Sequence, residues 1–71
     1  MWKLKFFVNC DGWKVDSEYG KRGYSNTHYF KNKKKAQDWV AEQNTRLPNN
    51  KVEIISLVKV TPEEFARDII L

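Results

Sequence analysis

Hydrophobic and polar residues alternate at the start of the chain. Residues 2–8 carry an apolar side chain at every even position and lysine at positions 3 and 5. This period of two is typical of a strand with one buried face. Asp11-Gly12 supplies a turn, and Trp13 and Val15 continue the alternation, which predicts the returning strand of a hairpin. Residues 27–30 predict a third strand.

A first helix is predicted over residues 33–44. Asn32 precedes it and is of a type that favours the N-cap position. The segment is rich in helix formers, and its apolar residues recur at helical spacing. These residues are Ala36, Trp39 and Val40, and Leu47 would continue the spacing beyond the segment. Pro48-Asn49-Asn50 ends the helix, because proline has no backbone N–H to donate.

The last third of the chain predicts one more strand and one more helix. Residues 52–60 are rich in β-branched side chains and predict the best-buried strand of the sheet. Thr61-Pro62-Glu63-Glu64 has the pattern of a capping box with proline at the first helical position. A short helix follows, with an apolar stripe formed by Phe65, Ala66, Ile69 and Ile70.

The predicted order of elements is β-β-β-α-β-α. We therefore expect a small α+β fold, with an antiparallel or mixed sheet of three to four strands and two helices, at least one face of the sheet being covered. With 71 residues the chain makes one domain, residues 1–71, near the lower size limit for folding without disulfides or metal. We expect its three tryptophans in the core, with one of them exposed if the sheet has an open face.

Composition excludes several classes of function. A single cysteine, Cys10, cannot form an internal disulfide, and one histidine leaves no ligand set for zinc. Residues 1–8 do not resemble a signal peptide, and no apolar run approaches the roughly 20 residues that cross a bilayer. We therefore expect a cytoplasmic protein without a cofactor, a bound metal or a membrane partner.

Charge is distributed unevenly along the chain. The net charge is +4, yet residues 1–35 hold nine lysines and arginines against three acids, while residues 36–71 hold four against six. Such a division indicates one surface suited to a polyanion.

The densest cationic segment is residues 20–35, with six lysines and arginines, no acid and four aromatic rings counting His28. Surface cations neutralise phosphates and exposed rings stack on bases, so the segment predicts a nucleic-acid-binding surface, for DNA before RNA. The alternative is a solvated helix start beside core aromatics. The candidate residues for binding nucleic acid or a protein partner are Lys21, Arg22, Tyr24, Asn26, His28, Lys31, Lys33, Lys34 and Lys35.

Lysines elsewhere have two interpretations. Lys3, Lys5 and Lys14 would either extend the same basic surface or only protect a strand from aggregation. Lys33-Lys34-Lys35 begins the predicted helix, where positive charge opposes the helix dipole, and this favours a functional reason for these three residues.

Catalysis has little support in the sequence. His28 has no nucleophile or carboxylate close by in the chain, and Cys10 lacks an activating motif. Gly20-Lys21-Arg22-Gly23 is too short for a phosphate-binding loop and has the wrong context. We expect no enzymatic activity and no small-molecule substrate.

A set of residues between positions 13 and 44 carries a family resemblance. The set is Trp13, Gly20-Lys21-Arg22, Tyr29-Phe30, Lys33-Lys34 and Ala36 with Trp39. In this order they resemble the arm-type N-terminal DNA-binding domain of phage and transposon tyrosine integrases. The resemblance implies a three-stranded sheet in the DNA major groove, with strand residues facing bases and basic turn residues on phosphates.

The chain departs from that pattern in its further strand and capped helix, and in having no catalytic domain. An accessory factor of a phage or mobile element is therefore implied. The alternative is a small phage-type protein that binds and inhibits a host nucleic-acid-processing enzyme by protein–protein contact. A homodimer through an open sheet edge is a third hypothesis.

Overall fold

The computed structural model describes residues 1–46 and 51–70. Its elements are β1 (Trp2–Asn9), β2 (Gly23–Phe30), α1 (Lys33–Arg46), β3 (Lys51–Lys59) and α2 (Pro62–Ile70). The α+β class with an antiparallel sheet and two helices is confirmed, and the order β-β-α-β-α has one strand fewer than the largest number predicted. Three predicted features lie outside the described residues. They are Leu47, the Pro48-Asn49-Asn50 helix end and the side chain of Ile70.

The sheet has the order β2-β1-β3, and β1 pairs antiparallel with both neighbours. The β1–β2 register runs without interruption from Trp2 opposite Phe30 to Asn9 opposite Gly23. The β1–β3 register shifts between Lys5 and Phe6. Since β2 and β3 flank the same strand, α1 must cross over β1 to connect them.

The predicted returning strand at Trp13 and Val15 is wrong. Val15 forms only an isolated bridge with Arg22, and the strand that pairs with β1 begins at Gly23. Asp16 organises the intervening chain as a turn, because its Oδ1 accepts hydrogen bonds from the backbone N–H groups of Glu18 and Tyr19. The alternating apolar residues therefore belong to a loop, residues 10–22.

Gly23 is required where β2 begins. Its φ of 145° lies in a region that L side chains rarely adopt, and an added Cβ would stand 1.9 Å from the Val8 carbonyl oxygen. Only glycine permits this close approach of the two strands.

Helix α1 covers one face of the sheet, here called the helix face, which carries Leu4, Phe6 and Val8. The Asn32 side chain caps the helix by accepting a hydrogen bond of 2.8 Å from the Lys35 N–H, as predicted. The buried core of this face consists of Leu4, Phe6, Val8, Ala36, Val40 and Val52.

The prediction that the last strand is the best-buried strand is wrong. β3 lies at an edge of the sheet, and its Ile54, Ile55 and Val58 are 47%, 37% and 48% exposed. The central position belongs to β1, whose residues from Phe6 to Val8 are all buried. The β-branched composition shows that a strand forms, whereas burial depends on its position in the sheet.

On the opposite face of the sheet, here called the second face, side chains of the loop and of α2 contact the strands. The Tyr19 ring of the loop packs against buried Phe7, with centroids 5.4 Å apart. Thr61 caps α2 by accepting a hydrogen bond from the Glu64 N–H. The Phe65 and Tyr29 rings pack edge to face, with their centroids 5.0 Å apart.

The predicted apolar stripe of α2 is buried only in part. Phe65 is half-buried, whereas Ala66 is exposed and Ile69 is 60% exposed. Neither helix in the described chain is long and apolar enough to span a membrane.

Candidate functional site

Three of the predicted site residues form a row along the edge strand β2. Tyr24, Asn26 and His28 lie opposite the three β1 residues that carry the core of the helix face. Because side chains alternate along a strand, all three project on the helix face. The strand thus combines one phenol, one amide and one imidazole in a line.

A cleft of about 140 Å³ lies between this row and α1. It opens there because α1 crosses away from β2 towards the start of β3, where the Asn44 side chain exchanges hydrogen bonds of 2.7 and 3.2 Å with the Val52 backbone. The lining residues are Phe6, Val8, Tyr24, Asn26, His28, Trp39, Gln43 and Val52.

Aromatic rings form one end of the cleft. The His28 ring centroid lies 4.8 Å from that of Trp39 and 5.0 Å from that of Phe6, and all three side chains are at least half-buried. These contacts fix the imidazole in a packed cluster. Its ring edge and the amides of Asn26 and Gln43 supply the hydrogen-bonding groups of the cleft.

An exposed aromatic pair stands beside the cleft. Trp13 and Tyr24 have ring centroids 5.7 Å apart and are 51% and 40% exposed. Arg22 holds the loop there, since its Nη1 donates a hydrogen bond of 3.0 Å to the Trp13 carbonyl oxygen. A cation and two exposed rings are therefore adjacent at the start of β2.

Four lysines follow the other end of β2. All are exposed, and none forms an ion pair with an acid in residues 1–46 or 51–70. They are Lys31, Lys33, Lys34 and Lys35. The Lys33 ammonium lies 5.9 Å from the centre of the Trp2 ring, on the same end of the molecule.

The nine predicted residues do not form one continuous patch. Arg22 and Lys31 flank the eight-residue strand β2, so they stand roughly 30 Å apart at about 3.3 Å per residue. The longest dimension of the molecule is 37 Å, which places the two cationic groups towards its opposite ends. The row of Tyr24, Asn26 and His28 connects them.

Lys21 forms an ion pair outside this arrangement. Its ammonium contacts the Glu53 carboxylate at 2.7 Å, and that hydrogen bond holds the pKa of Glu53 below its usual value. Glu53 pairs with Phe7, whose ring lies on the second face. Lys21 thus has an acidic partner in the second half of the chain.

Lys3 and Lys5 do not extend the site, because they lie on the second face. Lys3 contacts Asp68 of α2 at 3.1 Å, and the hydrogen bond between them raises the pKa of Lys3. Asp68 also accepts a hydrogen bond of 2.6 Å from the Tyr29 hydroxyl, the largest cause of its lowered pKa. Lys5 lies 6.0 Å from the centre of the Tyr19 ring.

Three residues of the site are missing from the sequence prediction. Trp13 is expected in the core and is exposed. Trp39 packs against the core as expected, but it also lines the cleft. Gln43 is not singled out at all. Trp39 and Gln43 are four residues apart on one helix, so their spacing alone places them on a common face.

Among the described residues, no three His, Cys, Asp or Glu side chains are grouped as a metal ion would require. No protein-family model matches the sequence, and no curated protein or solved structure shows significant similarity to it. The resemblance to integrase arm-type domains stays a prediction.

Proposed function

We propose that the protein binds nucleic acid, without catalysing a reaction, through the β2 row, its cleft and the cations at both ends of the strand. The observation that carries the proposal is the position of Tyr24, Asn26 and His28 beside an open cleft and between two cationic groups. Hydrogen-bonding groups and rings contact bases, while cations contact the phosphates on either side. DNA is the first expectation, and a cytoplasmic location belongs to the same proposal.

Electrostatics supports a polyanionic ligand. Five cations of the segment lack an acidic partner among the described residues, namely Arg22, Lys31, Lys33, Lys34 and Lys35. Each phosphate that they neutralise releases condensed counterions. If all five take part, the slope of log affinity against log salt is about −3.5 for a single strand and about −4.5 for a duplex.

Fluorescence anisotropy over a salt series tests the proposal. Labelled DNA and RNA of about 12 nucleotides, roughly 40 Å long when stacked, would cover the whole row. We expect binding at about 50 mM salt that weakens with the slope given above. Lys34→Gln should reduce both affinity and slope, whereas the matched control Arg67→Gln, an exposed cation in α2, should change neither. Absence of binding to single-stranded and duplex forms of both nucleic acids would refute the proposal.

A protein partner is the second candidate, and strand β3 favours it. Its exposed Ile54, Ile55 and Val58 lie on an edge strand, where a further strand from a partner or from a second copy would pair. Sedimentation over a range of protein concentrations detects self-association. A partner retained from host lysate after nuclease treatment would support the inhibitor hypothesis, and loss of all partners after nuclease would support nucleic-acid binding.

A further inference from the structure

We infer that the cleft between β2 and α1 accepts one unstacked base, so that the protein binds single-stranded nucleic acid in preference to duplex. This inference rests on the proposed function and specifies its ligand.

The volume of the cleft limits what can enter it. At about 140 Å³ it is close in volume to an apolar protein cavity of about 150 Å³, a size that holds one benzene ring. It is well below the roughly 300–1,000 Å³ of pockets that bind larger ligands. The cleft therefore suits a single flat ring with polar edges. A nucleobase has that form, and Asn26 and Gln43 supply amide groups for its edge.

The shape of the site disfavours a duplex. Groove reading requires a helix or strand that projects into the groove. Here the candidate base-reading residues, including half-buried His28 and Trp39, line a recess between two elements. A paired base would have to leave its stack to reach them, whereas a base in a single strand has no pairing to lose.

The surroundings of the cleft suit a strand that continues past it. Trp13 and Tyr24 offer exposed ring surface for a neighbouring base. Arg22 at one end of β2 and Lys31 at the other lie about nine residues apart, a span of roughly 30 Å along which several successive phosphates would lie. Charge at both ends and rings between them follow the pattern of a single-strand site.

Three ligands of equal length separate base insertion from phosphate attraction. They are a single strand of about 12 nucleotides, the same strand in a duplex, and a single strand whose central residues are abasic. At fixed salt we expect the single strand to bind at least about tenfold more tightly than the duplex, because only its bases reach the cleft without unpairing. The abasic strand keeps its phosphates and should lose most of this advantage.

Substitution of Tyr24 tests whether a single strand binds at the cleft and the neighbouring aromatic pair. Tyr24 is 40% exposed and lies outside the buried core, so Tyr24→Ala leaves the core residues in place. Loss of one stacked base should weaken single-strand binding by roughly 5- to 150-fold with little change in salt slope. Tyr24→Phe keeps the ring and should retain most of the affinity.

The outcomes distinguish failure of this inference from failure of the proposed function. Equal or tighter binding of the duplex, with no effect of abasic sites or of Tyr24→Ala, overturns base insertion while salt-dependent binding still supports the proposed function. Absence of binding to all three ligands overturns both.

Discussion

The first turn of α1 carries three exposed lysines and no acid. Lys33, Lys34 and Lys35 stand at the positive end of the helix dipole, where cations are unfavourable. We predict that the triple substitution of these lysines by glutamate raises the stability of the fold while it weakens binding. The N-cap is retained, because the Asn32 carboxamide bonds to a backbone N–H.

The expected gain in stability follows from three local effects. Favourable charge in the first turn contributes about 0.3–1 kcal/mol at each of three sites. Loss of the Lys33 contact with the Trp2 ring costs about 0.5 kcal/mol, and a glutamate at position 34 would repel Asp38 four residues on by about 0.2–0.5 kcal/mol. The net gain is about 1 kcal/mol at low ionic strength, which raises the Tm of a domain of this size by about 4–8 °C.

Thermal unfolding followed by circular dichroism measures the stability change, and anisotropy measures the binding. Removal of three phosphate contacts should lower the magnitude of the single-strand salt slope by about 2. The corresponding substitution by glutamine should give a smaller gain in Tm and a smaller loss of affinity. A triple glutamate variant that unfolds, or whose Tm falls by several degrees, would show that the lysines are structural and would refute the site assignment.

Two further predictions concern the framework of the site. Gly23→Ala should destabilise the fold by about 3 kcal/mol or more in a urea titration, because its Cβ meets the Val8 carbonyl. The control Gly20→Ala, at φ 67° with no atom within 4 Å of the added Cβ, should cost only about 1–2 kcal/mol. The hydrogen bond from Tyr29 lowers the pKa of Asp68 in the folded protein from its usual value of 3.8. The contact of Asp68 with the sheet therefore stabilises the fold fully above pH 3.8 and is lost as the pH falls through the lower pKa of the folded state. NMR shifts of Tyr29 and α2 should report this acid step, and its persistence in Asp68→Asn would contradict the assignment.

Local signals in the sequence were sufficient for part of the fold. The alternation in residues 2–8 identifies β1, and Asn32 and Thr61 identify the two helix starts, because each signal acts within a few residues of the chain. Trp13 and Val15 follow the same alternation but lie in a loop, because the turn at Asp16 interrupts the pairing.

Burial and site geometry depended on tertiary structure. The composition of β3 is that of a buried strand, but the order β2-β1-β3 leaves it at the edge. The residue types of the candidate site were visible in segment 20–35. The division of the cations between the two ends of β2 follows from the strand register, which the sequence alone does not specify. The ion pair between Lys21 and Glu53 joins segments that are distant in the chain, so it could not be predicted from local sequence.

Titration of isotopically labelled protein with a single-stranded oligonucleotide, followed by backbone and side-chain amide NMR, would locate the bound strand on the protein. We expect the largest shifts at the Asn26 and Gln43 side-chain amides, at the indole of Trp39 and at the backbone of residues 31–35. Shifts confined to β3 and α2, or spread evenly over every exposed lysine, would contradict the proposed site.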